Sequence, residues 1–201
     1  MRDLIILGLD IHGIELAERV IEAGSYRFIG FVAHGAEFPE SFGEYPVLGG
    51  PGALSRHPDA AQLPLHVWKR EGEFGKDRWV SFIDPLAVVS KTAHIGRGCA
   101  IYPHCFIGAN ARLSDGVLML AGGIVNHDCQ VGERAVLTSG VALAGGVHIG
   151  ERAYIGQSAT VRQFLRVGAG SFVGMGAVVV KDVPDGETVV GNPARVYRKR
   201  E

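Results

Sequence analysis

Every sixth residue from Ile83 to Val179 is aliphatic or methionine. The run reads Ile83, Val89, Ile95, Ile101, Ile107, Leu113, Met119, Val125, Val131, Leu137, Leu143, Ile149, Ile155, Val161, Val167, Val173, Val179, seventeen positions without a slip of register. A helix repeats at about 3.6 residues and a strand at about 2, so a period of six belongs to neither alone. Four residues after the aliphatic comes a small residue: Ala87, Ala93, Cys99, Cys105, Ala111, Gly123, Cys129, Ala135, Ala153, Ala159, Ser171 and Ala177, with Val117, Val141, Val147 and Leu165 as larger exceptions. A glycine often follows the aliphatic directly, as in "IGRG", "IGAN", "VGER" and "VGAG". This pattern is the signature of a hexapeptide β-helix. Each hexapeptide supplies one short strand and one turn, and three of them close a triangular coil. The aliphatic points inward and stacks on its equivalent one coil later, with coils about 4.8 Å apart. The small residue lets the chain pass a crowded corner, and the glycine is expected to supply the unusual backbone angles there. The span supplies a little over five coils, each burying its core only against its neighbours.

Before residue 80 the rhythm is absent. "LIILG" reads as a buried strand ending at a turn on Gly8. "HGIELAERVIEAG" reads as a helix with Ile14, Ala17, Val20 and Ile21 on its buried face, Glu15 placed to pair with Arg19, and Gly24 as C-cap. "RFIGFVA" reads as a second strand, and this β-α-β opening predicts a small Rossmann-like α/β domain. "YPVLGGPGAL" and "LPLHVWKR" read as a further turn, helix start and strand. The predicted organisation is therefore an α/β domain over residues 1–80, then an all-β parallel β-helix with a C-terminal tail over 81–201.

The charge balance excludes some partners. Lysine plus arginine is 20 and aspartate plus glutamate is 21, a net charge of −1 that supports neither nucleic acid nor a membrane surface as partner. The N-terminal apolar run is too short for a signal peptide or a membrane span, so a cytoplasmic location is expected. All three cysteines fall on the small inward position, which predicts a structural role in a reducing compartment.

Against this background "NHDC", residues 126–129, stands out, because it sets His127 beside Asp128 in a stretch of small and aliphatic residues. Gly145 follows His127 by three hexapeptides, one full coil, so the two should stack on the same face. The α/β opening, the uninterrupted repeat, "NHDC" and the closing "VVGNPAR" together resemble the left-handed β-helix acyltransferases of the sialic acid O-acetyltransferase and bacillosamine-type sugar N-acetyltransferase group. The resemblance covers nearly the whole chain. It implies a left-handed coil, a homotrimer, and acetyl-CoA as co-substrate with no metal. It also implies transfer of acetyl to an amino or hydroxyl group of a sugar or sugar nucleotide in surface glycan biosynthesis. In such proteins a histidine and the following acidic residue are the general base and its helper, which places those roles on His127 and Asp128. A glycine amide receives the oxyanion, which points to Gly145.

The chain also departs from the family. An Asn-Thr pair one hexapeptide before the histidine is Leu120-Ala121 here, and a second histidine near the acetyl group is Val136. Two further coenzyme-lining positions correspond to Gln157 and Met175. The nucleotide-binding loop, of the form GxGGHG, reads "GLDIHG", so Asp10, Ile11 and His12 stand at the expected substrate site. Asp10 is placed to cap the helix itself, and its carboxylate repels a phosphate. The acidic pair after the second strand is Ala33-His34.

Two other function classes fit a hexapeptide solenoid. A metal-dependent carbonic anhydrase needs three histidines on one zinc, and His104, His127 and His148 are spaced off the coil period. A non-catalytic binding or scaffold protein would tolerate the altered N-terminal loop but has no use for the His127–Asp128 pair.

Overall fold

The computed structural model describes residues 1–35, 37–65 and 76–198. The second half of "LPLHVWKR" and the last three residues of the C-terminal tail lie outside that set. The chain opens with strand β1 (Asp3–Leu7), helix α1 (Ile11–Ala23) and strand β2 (Arg27–Val32). β1 and β2 pair in parallel, which is the β-α-β unit that the sequence predicts. Strands β3 (Ser41–Phe42), β4 (Tyr45–Gly49) and β5 (Ala61–Pro64) complete a sheet of order β3-β4-β2-β1-β5. "YPVLG" is thus a strand where its sequence suggests a turn; the helix start after it is a 3₁₀ segment, Pro51–Arg56.

Helix α1 starts and stops for local reasons. The Asp10 side chain caps it by accepting the His12 N–H at 2.9 Å, and Gly24 ends it at φ +62° with its N–H on the Val20 and Ile21 carbonyls. The buried stripe is Gly13, Leu16, Ala17 and Val20, whereas Ile21 is half exposed and Ile14 only partly buried. The expected stripe is therefore rotated, because Gly13 gives a close approach to Phe31 and Leu65 that a side chain would block. Arg19 does not pair with Glu15. Its guanidinium reaches Asp84 in the first solenoid turn, at 2.6 and 3.2 Å, and also contacts Glu22.

From Phe82–Ile83 to Val178–Val179 the chain makes seventeen two-residue strands, and the second residue of each is the aliphatic of the six-residue rhythm. They fall on three parallel faces of a prism. The first face carries Phe82–Ile83, Ala100–Ile101, Leu118–Met119, Val136–Leu137, Tyr154–Ile155 and Phe172–Val173, extended by Thr188–Val190 and an antiparallel Arg195–Val196. The second runs from Val88–Val89 to Val178–Val179, and the third from His94–Ile95 to Arg166–Val167. From Ile101 onward the inward residues are at most 3% exposed. Ile83 is 40% exposed, and Val89 and Ile95 are only partly buried, because no coil lies beneath them.

The glycines divide into two jobs, which corrects the expectation of one. Left-handed φ recurs at every sixth residue from Gly98 to Gly176, three residues after the aliphatic, and half of these residues are not glycine: His104, Asn110, Asp128, Arg134, Arg152, Ser158 and Phe164. The glycine directly after the aliphatic gives room instead. A Cβ on Gly108 would lie 2.7 Å from the His127 backbone nitrogen in the coil above. All three cysteines are buried and donate to carbonyls of the next coil, Cys99 to Ser114, Cys105 to Leu120 and Cys129 to Ala144. Burial pushes the Cys99 thiol up to about 11 and raises the other two, so none serves as a thiolate near neutral pH.

The α/β unit packs on the outer side of the first face. One continuous apolar core joins Leu4, Leu16 and Phe31 to Phe82, Ala100 and Leu118. The Tyr102 hydroxyl donates to the His12 carbonyl at 2.5 Å, and the Asp84 side chain in the Arg19 pair is fully buried. The third face presents His94, Arg112, Gln130, His148 and Arg166 outward and is the wet face. No helix of the described residues is long and apolar enough to cross a membrane.

Candidate active site

His127 and Asp128 occupy the turn that leads from the second face to the third, between Ile124–Val125 and Gln130–Val131. The coils above and below hold this turn in place. The Asp128 N–H donates to the Ala109 carbonyl at 2.9 Å, and the His127 carbonyl accepts from the Gly146 N–H at 2.9 Å. The Asn126 side chain donates to the Leu143 carbonyl at 2.8 Å and pins the entry to the turn. Asp128 takes the left-handed position, at φ +59°, where aspartate is tolerated better than most residues. That conformation turns its carboxylate back toward its own neighbour. His127 Nδ1 and Asp128 Oδ2 are 2.8 Å apart.

The other carboxylate oxygen, Oδ1, accepts from Asn110 Nδ2 at 3.1 Å. The hydrogen bonds with His127 and then Asn110 hold the Asp128 carboxyl below the usual carboxylate range. An ionised carboxylate only accepts, so Nδ1 carries the imidazole proton and Nε2 keeps a free lone pair. The side chains are 62% and 57% exposed, which leaves that lone pair open to a substrate.

Gly145 stacks one coil above. A Cβ built on it would lie 2.5 Å from both Cε1 and Nε2 of His127, so the ring lies against the bare α-carbon. The Gly145 carbonyl accepts from Phe164, while its N–H enters none of the hydrogen bonds among the described residues. A basic nitrogen and an uncommitted amide donor thus stand side by side. Removing a proton from a nucleophile and receiving a carbonyl oxyanion requires this pair of groups.

The remaining candidate residues lie elsewhere, in the α/β unit and on other parts of the prism. Asp10, His12 and Val136 line one pocket between the start of α1 and the first face, together with Leu65, Leu118, Leu120, Thr138 and Tyr154. Gln157 and Met175 are exposed in successive coils of the corner between the first and second faces, joined by the Gly176 N–H on the Gln157 carbonyl at 2.8 Å. Ile11 is exposed, Ala33 is buried with its N–H on the Gly49 carbonyl, and His34 is half-buried; none of the three lines the pocket. His104, His127 and His148 sit on the first corner, the second corner and the third face. Asn110 is a site residue that no motif singles out, although it stands one coil before Asp128, on the same period that finds Gly145. Leu118, Thr138 and Tyr154 belong to no motif either, and only the docking of the α/β unit makes them pocket walls.

No protein-family model matches the chain, and no curated protein sequence does. Solved structures do. The acetyltransferase domain of PglB from Neisseria gonorrhoeae is 30% identical, covers 98% of this chain and 100% of its own, and superposes with a TM-score of 0.83. The chain belongs to the hexapeptide-repeat sugar N-acetyltransferases. Within that family, the PglB domain is also solved in complex with acetyl coenzyme A. A histidine-to-alanine mutant of GDP-perosamine N-acetyl transferase from Caulobacter crescentus, in complex with CoA and GDP-perosamine, is 28% identical over 99% of this chain and 98% of its own, with a TM-score of 0.85. WeeI from Acinetobacter baumannii, at 23% identity and a TM-score of 0.68, shares the fold.

Proposed function

We propose that the chain transfers the acetyl group of acetyl-CoA to the amine of a nucleotide-linked amino sugar, in the cytoplasm and toward surface glycan biosynthesis. The observation that carries this reading is the His127 ring, held by Asp128 at 2.8 Å and laid against Gly145. His127 Nε2 takes a proton from the amine as its nitrogen attacks the thioester carbonyl. The Gly145 N–H receives the oxyanion of the tetrahedral intermediate. Asp128 stabilises the imidazolium and keeps the ring in the productive tautomer. Collapse breaks the carbon–sulfur bond, and the imidazolium returns its proton to the leaving thiolate.

Val136, Gln157 and Met175 wall the coenzyme, and the Asp10–His12 turn faces the acceptor. In one chain these groups lie on a different face and corner from His127, so the complete site forms between copies in a homotrimer. The second face supports this arrangement. Its outward ladder reads Val88, Phe106, Ile124, Ala142, Thr160 and Val178, with Val88 61%, Phe106 40% and Ile124 39% exposed. An apolar strip of that kind is normally covered by a partner. The test is a steady-state assay of thiol release with acetyl-CoA and GDP-perosamine, UDP-linked or dTDP-linked amino sugars, with mass analysis of the product. Absence of acetylated sugar from every acceptor, by protein that is folded, would refute the reading.

A further inference from the structure

The pocket between α1 and the first face has a hydrogen-bonding polarity that follows from bonds already made inside the protein. Thr138 is its one buried hydroxyl among the described residues, at 7% exposed, and its Oγ1 donates to the Ile155 carbonyl at 2.8 Å. That donation consumes the hydroxyl's only proton and leaves lone pairs for anything in the pocket. Asp10 has one carboxylate oxygen on the His12 N–H at 2.9 Å, and an ionised carboxylate donates nothing. His12 Nδ1 faces Glu15 Oε2 at 3.3 Å, and with the ring proton on that contact Nε2 on the far side of the ring is an acceptor. Leu65, Leu118, Leu120 and Val136 are apolar, and among the described residues the Tyr154 hydroxyl is the one lining side chain able to donate. No lysine or arginine among the described residues lines the pocket.

We propose that this pocket reads the acceptor's amine through its N–H groups, with Thr138 as the specificity-determining residue. The inference rests on the sugar N-acetyltransferase reading and deepens it. A group rich in donors, an amine or its ammonium form, finds partners on Thr138, Asp10 and His12. A carbonyl in the same place offers only lone pairs and has the Tyr154 hydroxyl as its one side-chain donor among the described residues, with no compensating donor from Thr138 or Asp10. The pocket thus separates an amino sugar from the keto sugar of the same skeleton. The enzyme that supplies the substrate is then one that converts a ketone to an amine, and its unreacted ketone is kept out.

The test uses the full chain with acetyl-CoA, GDP-perosamine as acceptor, and the analogue bearing a carbonyl in place of the amine as competitor. Thr138→Val keeps the side-chain volume, and the Ile155 carbonyl still accepts the Thr138 backbone N–H at 3.0 Å, so the fold is retained. The expected result is a rise in acceptor KM of about tenfold, with kcat and the acetyl-CoA KM nearly unchanged, and recovery in Thr138→Ser. The carbonyl analogue inhibits the native protein weakly and the valine variant more strongly. Unchanged acceptor KM in Thr138→Val, or equal inhibition of both proteins by the carbonyl analogue, overturns the assignment and leaves the acetyltransferase reading standing. Native protein that acetylates neither GDP-perosamine nor UDP- or dTDP-linked amino sugars overturns both.

Discussion

Replacing Gly145 with alanine tests the site at its tightest contact. The new methyl would lie 2.5 Å from Cε1 and Nε2 of His127, where an ordinary contact begins at 3.4 Å. The backbone does not resist the substitution, since Gly145 is not among the residues with positive φ. The methyl fits only if the imidazole withdraws. Relief requires a ring movement of about 1 Å, and a displacement of that size at a reacting group costs on the order of 10²-fold in rate. That is about 2.7 kcal/mol of transition-state stabilisation. The Gly145 amide survives in the variant, so the loss reports the ring and not the oxyanion donor. Steady-state kinetics should show kcat falling by that factor, with thermal stability unchanged because the corner is exposed. His127→Ala should cost about 10²–10⁴-fold, the usual contribution of a positioned base. The double variant should be no slower than His127→Ala alone, since both changes act on one group. Native kcat in Gly145→Ala, or full additivity in the double variant, would show that the ring does not work from the position described.

Three other perturbations follow from the same geometry. Asn110→Ala removes one of the two contacts that hold the Asp128 carboxyl down, so its titration, followed by carboxyl-carbon NMR, should move to higher pH; the ionised form's benefit is present above that titration and lost as pH falls through it. Ile124→Asp places a charge on the apolar strip of the second face, so light scattering should report a trimer for the native chain and a smaller species for the variant; a native monomer at micromolar concentration would end the trimer proposal. Leu137→Ala empties a fully buried position between Met119 and Ile155 and should lower unfolding stability by about 2–5 kcal/mol in a denaturant titration, more than a substitution at the partly exposed Ile83.

The solenoid was legible because its rule is local and repeated. Each inward aliphatic needs only its equivalents one coil away, so Ile101 and Val179 obey the same rule without knowledge of the rest of the chain. The pairing of His127 with Asp128 and its stacking on Gly145 were readable for the same reason, as was Asp10 as a helix cap, since each depends on neighbours in sequence or on the coil period. Asn110 lay within reach of that rule. The helix stripe was readable at Ala17 and Val20 but not at Gly13 and Leu16, because Gly13 is buried by the approach of Phe31 and Leu65, and Arg19 turns from Glu15 to Asp84 only once α1 lies on the first coil. The pocket belongs to tertiary structure. The coil period stacks Leu118, Val136 and Tyr154 on one face, but no period in the sequence brings Asp10, His12 and Leu65 to them. They meet because Arg19, paired with the buried Asp84 carboxylate, and the Tyr102 hydroxyl seat the α/β unit on the solenoid. A repeat encodes its own cross-section in every six residues, whereas the contact between two different units is set by the shape and charge each presents after folding.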